Sequence, residues 1–336
     1  MKLAVLGAGA IGGLVAAHLA HAGADVVVIA RGAALATLRD TGLRVIGPDG
    51  DIVASPPATD DLSVIGGCDA VLLTLKATAI AAVAPALAAA LGPRTAIVTM
   101  QNGIPWWYFD RHGGPLDGTR LRTVDPGGAI AASLDAGRVI GCVVYPAAEA
   151  LRPGVIRHVE GTRLALGELD GARTDRVRAI AETLGGAGFK APIRSTIRDE
   201  IWLKLLGNAT LNPLSALTRA RLDVMLADPA LAALAADLME EVASVARALG
   251  VRLELSVAQR LAGAKRVGEH KVSTLQDLEA GRPLELEALT GAVLEIAERL
   301  AVDTPRLGAV YACAMLLDRT ARSAAAAVVD GTDRPG

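Results

Sequence analysis

The chain has 336 residues, of which 52% are hydrophobic, 21% are charged and only 2% are aromatic. Its net charge of −2 excludes the broad basic surface that binding to nucleic acid or acidic lipid requires. The length is typical of two domains with separate cores. The three cysteines lack CxxC or Cys/His ligand spacing, so the sequence predicts neither a disulfide framework nor a metal site. No uncharged stretch combines the roughly 18 residues that cross a bilayer with flanks suited to a membrane span, and we expect a cytoplasmic protein.

The N-terminal third alternates short β-branched runs with Ala/Leu-rich helical stretches. The predicted strands are Leu3–Leu6, Asp25–Ala30, Leu43–Ile46, Asp51–Ala54, Ala70–Leu75 and Thr95–Thr99. The predicted helices between them are Ile11–Ala22, Ala33–Arg39 and Ala77–Leu91. Alternating units whose strands are apolar on both faces are typical of an α/β fold, in which helices cover a parallel sheet.

The pattern changes after Arg122. Extra strands of an antiparallel or mixed extension are predicted at Arg138–Tyr145, Gly154–Val159 and Arg163–Leu166, followed by a helix at Gly171–Gly185. From Ser195 onward the chain is nearly all helical, with candidate helices at 196–211, 228–249, 256–266, 273–280, 284–300 and 306–324. Pro192 interrupts the pattern, so we expect an N-terminal domain of residues 1–192 and an all-helical domain of residues 193–325. The polar, breaker-rich segment 326–336 predicts a flexible tail.

The segment Gly7-Ala8-Gly9-Ala10-Ile11-Gly12 joins the first predicted strand to the first helix. Its first glycine permits a tight turn, its second lets the backbone approach a pyrophosphate, and its third lets helix and strand pack closely. The free N–H groups at the start of a helix also favour phosphate. These six residues therefore predict a dinucleotide-binding loop, and the alternative is a structural glycine turn without a ligand.

The second strand ends with Ile29-Ala30-Arg31 and has no acidic residue there. An acid at this point would bind the ribose hydroxyls, whereas a guanidinium suits a 2′-phosphate through charge-assisted hydrogen bonds. Arg31 therefore favours NADP(H) over NAD(H). The alternative is a solvated surface arginine.

Polar residues stand out at three places in apolar surroundings. Lys76 and Asn102 follow the ends of two predicted strands, where ligands meet an open parallel sheet. Further on, Lys204, Asn208 and Asn212 are spaced four apart in a Leu-rich segment, which predicts that they share one helix face. A buried lysine and two buried amides need partners, so the spacing indicates a site unless this face is open to solvent.

A fourth candidate segment lies near the C-terminus. Ser273 and Asp277 are one turn apart in a predicted helix, and Glu285 opens the next helix after Gly281-Arg282-Pro283. A carboxylate at a helix N-terminus is favoured by the helix dipole. The position of Glu285 is therefore consistent with a role in a site and also with helix stabilisation alone.

Together these residues resemble the ketopantoate reductase family (2-dehydropantoate 2-reductases). The resemblance covers residues 1–320 and rests on the glycine loop, Lys76, Gln101-Asn102-Gly103, Trp202-x-Lys204-x3-Asn208-x3-Asn212-Pro213 and Ser273-x3-Asp277…Gly281-Arg282…Glu285. It implies a Rossmann-type α/β domain followed by an all-α domain like that of 6-phosphogluconate dehydrogenases. It also implies NADPH-dependent reduction of a 2-oxo acid to a (D)-2-hydroxy acid, namely 2-dehydropantoate to pantoate in the pantothenate pathway.

The resemblance also implies roles for individual residues. Lys204 matches the general acid, and Glu285 matches the acidic residue near the substrate hydroxyl and the nicotinamide ribose. The remaining matches are Lys76 and Asn102, which line cofactor and substrate, and Asn208, Asn212 and Ser273, which bind substrate. An ammonium group suits this chemistry, since hydride transfer to a ketone creates an alkoxide that needs a proton and a positive charge nearby.

The sequence departs from the family directly after Gln101-Asn102-Gly103, where four aromatic residues follow one another at Trp106–Phe109. These rings are predicted either to fill space between the domains or to form a wall beside the substrate. A wall would favour another, bulkier 2-oxo acid or an imine. A third hypothesis is an NADP(H)-binding sensor without chemistry, although a sensor would not need Lys204. A homodimer through the helical domain is compatible with the sequence.

Overall fold

The computed structural model describes residues 1–114 and 116–331, with side chains described as far as Ser323. Backbone contacts divide the chain into two compact units, which meet between Glu200 and Ile201. The division lies beyond the boundary predicted at 192/193, because Glu200 makes its hydrogen bonds to residues of the first unit. No helix in the described part of the chain is long and apolar enough to cross a membrane.

The first unit is an α/β domain. Its strands are β1 (Lys2–Leu6), β2 (Asp25–Ile29), β3 (Leu43–Ile46), β4 (Ile52–Ala54), β5 (Ala58–Thr59), β6 (Ala70–Leu73), β7 (Ala96–Thr99), β8 (Val139–Val144), β9 (Ala147–Arg152), β10 (Val155–Glu160) and β11 (Leu164–Glu168). Its helices are α1 (Ala10–His21), α2 (Gly32–Asp40), α3 (Ala77–Ala90), α4 (Ala129–Ser133) and α5 (Asp175–Gly186). Short 3₁₀ turns lie at Leu62–Gly67, Pro126–Gly128 and Ala136–Arg138.

The main sheet of this unit has the strand order β11-β8-β7-β6-β1-β2-β5 within the described residues. All neighbouring strands are parallel except β11, which runs antiparallel to β8. Leu6 pairs with Ile29 on one side and with Leu73 on the other, so the carboxyl ends of β1, β2 and β6 meet at one edge. Apolar strands with helices on their faces confirm the predicted Rossmann-type domain.

A second sheet has the strand order β4-β3-β10-β9 in the described part of the unit. The predicted extension is therefore split, since β8 and β11 join the main sheet while β10 pairs in parallel with β3. The sequence interpretation missed β9. This edge strand carries exposed and charged residues such as Arg152, so it lacks the apolar alternation that marks a strand.

The second unit is all-α and confirms the predicted helical domain. Helix α6 (Ile197–Asn208) enters it from the first unit, and it continues with α7 (Leu211–Thr218), α8 (Leu222–Ala227), α9 (Pro229–Ala248), α10 (Val257–Val267), α11 (Ser273–Glu279), α12 (Ala292–Arg299) and α13 (Pro305–Gly331). A π-helical turn, Glu287–Gly291, immediately precedes α12 in place of a regular helix over 284–300. Helix α13 extends to Gly331, into the tail predicted over 326–336, and residues 332–336 lie outside the described part.

The helix predicted over 196–211 is confirmed as α6, which ends at Asn208, but the expected face that continues to Asn212 is wrong because a second helix, α7, begins at Leu211. Pro213 lacks the N–H group that would bond to the carbonyl of Ala209, one helical turn earlier. The helical hydrogen-bond ladder is interrupted at this point. Asn212 therefore lies on α7, whereas Lys204 and Asn208 share one face of α6.

Candidate active site

The loop between β1 and α1 has the backbone geometry that a dinucleotide-binding loop needs. Gly7 has a φ of +111°, in the region that favours glycine, and its N–H donates to the carbonyl of Ile29 at 3.0 Å. A methyl group on Gly12 would lie 1.9 Å from the Gly7 carbonyl oxygen, so the helix packs against the loop too closely for any side chain. A Cβ on Gly9 would meet no described atom within 4 Å. The outer side of the loop is therefore open to a ligand.

The N-terminus of α1 presents the donors that a phosphate would accept. The first hydrogen bond of the helix runs from the N–H of Gly13 to the carbonyl of Gly9 at 2.8 Å, so the N–H groups of Ala10, Ile11 and Gly12 precede the helical ladder. The first turn contains no acidic residue and Gly9 has no capping side chain. These backbone donors and the positive end of the helix dipole favour an anion.

The end of β6 supports this loop. The hydroxyl of Thr74 donates to the carbonyls of Leu6 and Gly7 at 3.0 and 2.8 Å. Leu75 follows, and its side chain lies 3.0 Å from the position of a Cβ on Gly7. Lys76 comes next, at the N-terminus of α3, where it is partly buried. The predicted residue Lys76 therefore lies two residues from the side chain that fixes the glycine loop.

Gln101 connects β7 to the same edge. Its side-chain amide donates to the carbonyls of Leu73 and Leu75 at 2.6 and 3.0 Å. The neighbouring Asn102 is partly buried. These two hydrogen bonds place the segments of Lys76 and Asn102 side by side at the carboxyl edge of the sheet, as the sequence predicts for a ligand-binding edge.

Arg31 lies at the same edge and is exposed. It follows β2 after Ala30 and stands at the N-terminus of α2. Because β2 pairs with β1, Arg31 follows the strand adjacent to the glycine loop. This is the position at which the sequence predicts contact with the adenosine ribose or its 2′-phosphate.

In the second unit, one hydrogen bond joins two of the predicted segments. The hydroxyl of Thr290, in the π-helical turn, donates to the carbonyl of Ala209 at 3.1 Å. Ala209 directly follows Asn208, and both Thr290 and Ala209 are fully buried. In the segment that contains Thr290, the N–H of Leu289 donates to the carbonyl of Glu285 at 3.2 Å. This hydrogen bond places Glu285 at the N-terminal end of a helical segment. Segments 208–209 and 285–290 are therefore held together.

The remaining substrate-binding candidates lie on helices of the same unit. Asn212 is buried on α7, with 4% of its surface exposed. Helix α11 packs against α7 and begins with Ser273, which is exposed. At the other end of α11, Arg282 donates to Asp277 through its side chain and its backbone, both at 2.8 Å. These bonds fix the turn that leads from α11 to Glu285.

Comparisons with known proteins agree with the family resemblance. The family profile described as "Ketopantoate reductase PanE/ApbA" matches residues 3–106, and the profile for the C-terminal domain of the same family matches residues 196–318. A 2-dehydropantoate 2-reductase of Mesorhizobium japonicum is 49% identical over 313 residues, which cover 93% of this chain and 96% of that protein. The chain belongs to the ketopantoate reductase family. It is therefore an oxidoreductase acting on CH–OH groups.

Solved structures support the same fold for this ketopantoate reductase family member. A 2-dehydropantoate 2-reductase of Geobacter metallireducens is 27% identical, covers 94% of this chain and 99% of that chain, and superposes with a TM-score of 0.82. A D-mandelate dehydrogenase solved with NADH and anilino(oxo)acetate is 19% identical and has a TM-score of 0.80, with 96% and 99% of the two chains covered. The second likeness shows the fold alone.

The structure buries all four rings of the aromatic run Trp106–Phe109. Trp107 donates from its indole N–H to the hydroxyl of Thr99 at 2.9 Å, and its ring lies against Gly141 of β8. The Tyr108 and Phe109 rings meet edge to face at 4.8 Å. These are the contacts of core residues in the first unit, so they do not support a substrate wall.

Sequence reasoning missed a buried carboxylate in the first turn of α6. Glu200 is 2% exposed and accepts hydrogen bonds from the Tyr145 hydroxyl at 2.7 Å, from Arg163 at 2.6 Å and from Arg194 at 2.9 Å. Burial and this carboxylate raise the pKa of Tyr145 above its usual value, so Tyr145 remains a hydrogen-bond donor. Three donors thus anchor the helix that carries Lys204 one turn later. Only the tertiary structure brings these four side chains together.

Proposed function

We propose that this member of the ketopantoate reductase family reduces 2-dehydropantoate to pantoate with NADPH, with Lys204 as the general acid. The observation that carries the proposal is the 49% identity to a 2-dehydropantoate 2-reductase over nearly the full length of both chains. The candidate residues of that chemistry lie on the helices, strand ends and turns described above.

The residues of the first unit suit a nicotinamide dinucleotide phosphate. The open side of Gly9 admits a pyrophosphate, and the N-terminal N–H groups of α1 are directed along the helix axis toward it. Arg31 would hold the 2′-phosphate with its guanidinium, since it is exposed after β2. Lys76 and Asn102 would contact the cofactor from the ends of β6 and β7.

Reduction requires a hydride and a proton. When bound, NADPH supplies the hydride to the carbonyl carbon of the 2-oxo acid. We infer that the ammonium of Lys204 stabilises the negative charge that develops on the carbonyl oxygen and donates the proton that completes the hydroxyl. Glu285 would then accept a hydrogen bond from that new hydroxyl, and its junction with the segment after Asn208 supports this placement.

Substrate binding is proposed for the remaining polar residues of the second unit. The amides of Asn208 and Asn212 and the hydroxyl of Ser273 can donate hydrogen bonds to the carboxylate and to the hydroxyl groups of the substrate. Asn208 is partly buried, and Asn212 is buried on the next helix. Burial separates an amide from water, and a polar ligand can replace the hydrogen bonds that the amide would otherwise make with water.

The test is a steady-state assay of NADPH and NADH oxidation with 2-dehydropantoate, 2-oxoisovalerate and phenylpyruvate. We expect the highest kcat/KM with NADPH and 2-dehydropantoate. A higher kcat/KM with phenylpyruvate would indicate that this protein is instead a family member that reduces bulkier 2-oxo acids. NADPH binding without oxidation in the presence of any of these acids would show a sensor and overturn the proposal.

Lys204→Ala tests the general acid. We expect kcat to fall about 10²- to 10⁴-fold, because general acid catalysis contributes that much, while the Kd for NADPH stays unchanged. The matched control is Lys265→Ala, which removes an exposed lysine of α10 in the same unit. A Lys204→Ala enzyme with wild-type kcat would exclude Lys204 as the proton donor.

A further inference from the structure

An arginine from another helix lies directly against α6. The Nη2 atom of Arg260, on α10, is 2.4 Å from the position that a Cβ on Gly207 would take, and its Cζ is 3.1 Å from it. The guanidinium thus occupies the space of the missing side chain. Arg260 is partly buried, and the absence of a side chain at Gly207 is what allows its close approach to the helix.

Gly207 lies on the same side of α6 as the proposed general acid. At 3.6 residues per turn, Lys204 is separated from Gly207 by about 60° around the helix axis and from Asn208 by about 40°. Lys204 therefore lies between Gly207 and Asn208 on the helix surface. The guanidinium of Arg260 is on the flank of Lys204 that Asn208 does not cover.

This arrangement brings a second cation to the surface that should bind a 2-oxo acid. An anion that lies against both positive groups is attracted by each of them. A 2-oxo acid carries a carboxylate on the carbon next to its ketone, so a proton donor at the ketone oxygen implies a carboxylate within a few ångströms of it. A guanidinium is the side chain best matched to a carboxylate, because its parallel N–H groups bond to both oxygens.

We propose that Arg260 binds the carboxylate of the 2-oxo acid and that Gly207 creates the space for its guanidinium beside Lys204. The inference rests on the proposed function, and it adds a substrate-binding residue that lies outside the family motifs of this sequence. Arg260 then contributes to recognition of the acid, while Lys204 carries out proton transfer.

Arg260→Gln tests the assignment, since glutamine keeps a polar side chain and removes the charge. We expect the KM for 2-dehydropantoate to rise about 10- to 100-fold, the range for losing a hydrogen bond to a charged group, with kcat and the Kd for NADPH nearly unchanged. The methyl ester of the same acid has no carboxylate charge, and its kcat/KM should be the same in the variant and in the wild type. A structural defect would affect acid and ester alike. The matched control is Arg266→Gln, an exposed arginine of the same helix.

Gly207→Ala provides an independent test that leaves Arg260 in the chain. Its methyl group would displace only the flexible end of the Arg260 side chain, so the helix should fold and gain the stability that alanine has over glycine. We nevertheless expect a higher KM for the acid. Adding Gly207→Ala to Arg260→Gln should raise the KM no further, since both changes remove the same contact.

The outcomes separate this inference from the proposed function. Wild-type activity with an unaltered KM in Arg260→Gln, or an equal loss toward acid and ester, overturns the role of Arg260 alone. A wild-type enzyme that reduces no 2-oxo acid overturns the proposed function and this inference with it. If Arg260→Gln does not fold, Arg260→Lys tests the role of Arg260 instead, because lysine keeps the charge and lacks the paired N–H groups. An unchanged KM for the acid in Arg260→Lys also overturns the inference.

Discussion

Replacing Thr290 by valine removes one buried hydroxyl and keeps the shape of the side chain. The hydroxyl donates to the carbonyl of Ala209 at 3.1 Å, and both residues have 0% of their surface exposed. Pro213 cannot supply the N–H group that this carbonyl would normally receive within a helix. Thr290→Val therefore leaves a buried acceptor without its side-chain donor.

The expected cost is about 1–3 kcal/mol in the free energy of unfolding, the penalty for a buried polar group that loses its partner. For a domain of this size, each kcal/mol lowers the Tm by roughly 2–8 °C. Thermal unfolding followed by far-UV circular dichroism measures the change. Because the same bond joins the segment after Asn208 to the segment of Glu285, we also expect a lower kcat.

Thr290→Ser is the matched variant, since it keeps the hydroxyl and loses only a methyl group. It should lose some stability from the cavity, about 1 kcal/mol, but retain the wild-type kcat. A Thr290→Val variant that unfolds at the wild-type temperature would show that this hydrogen bond does not stabilise the unit. An equal loss of kcat in the serine and valine variants would show that the hydroxyl does not position the two segments.

Two further predictions concern the first unit. Gly12→Ala would place a methyl group 1.9 Å from a backbone oxygen and should lower the Tm. The methyl group of Gly9→Ala has open space, so this variant should fold normally but bind NADPH more weakly in a fluorescence titration. Equal Tm values for the two variants would contradict this prediction. Burial lowers the pKa of His18 below its usual value of 6.5. Below pH 6.5 the unfolded chain therefore binds a proton that the folded chain does not. The contribution of His18 to the free energy of unfolding should be fully present above pH 6.5 and should decrease as the pH falls below it. His18→Gln should weaken this dependence and the exposed His21→Gln on the same helix should not, and chemical unfolding at pH 7.5 and 5.5 checks both.

Much of the first unit could be predicted because its signals are local. A glycine loop that follows an apolar strand and opens a helix specifies a βαβ unit, and the strand ends then place Lys76 and Asn102 at one edge. Edge strand β9 could not be predicted, since its pairing with β10 compensates for a weak local pattern. The sequence also could not show that β3 and β10 pair in a second sheet, because these strands are far apart in the chain.

The aromatic run shows where composition misleads. Four consecutive rings in a chain poor in aromatic residues predicted either packing between the domains or a substrate wall, whereas Trp107 bonds to Thr99 and the run is buried. A sequence shows that large side chains are present but does not show which neighbours they contact. In this unit, Gly141 leaves room for the Trp107 ring, and that pairing has no local signature.

Sequence patterns alone were enough to predict the fold class, the order of the two domains, the family and the residue types of the candidate site, because each depends on periodicity or on motifs of fixed spacing. The tertiary structure decided the break between α6 and α7, the hydrogen bond from Thr290 to Ala209, the anchoring of Glu200 and the placement of Arg260 against Gly207. Each of these depends on atoms that are distant in the chain and meet only when side chains pack. Local patterns specify which elements form, whereas packing between elements specifies which side chains can act together.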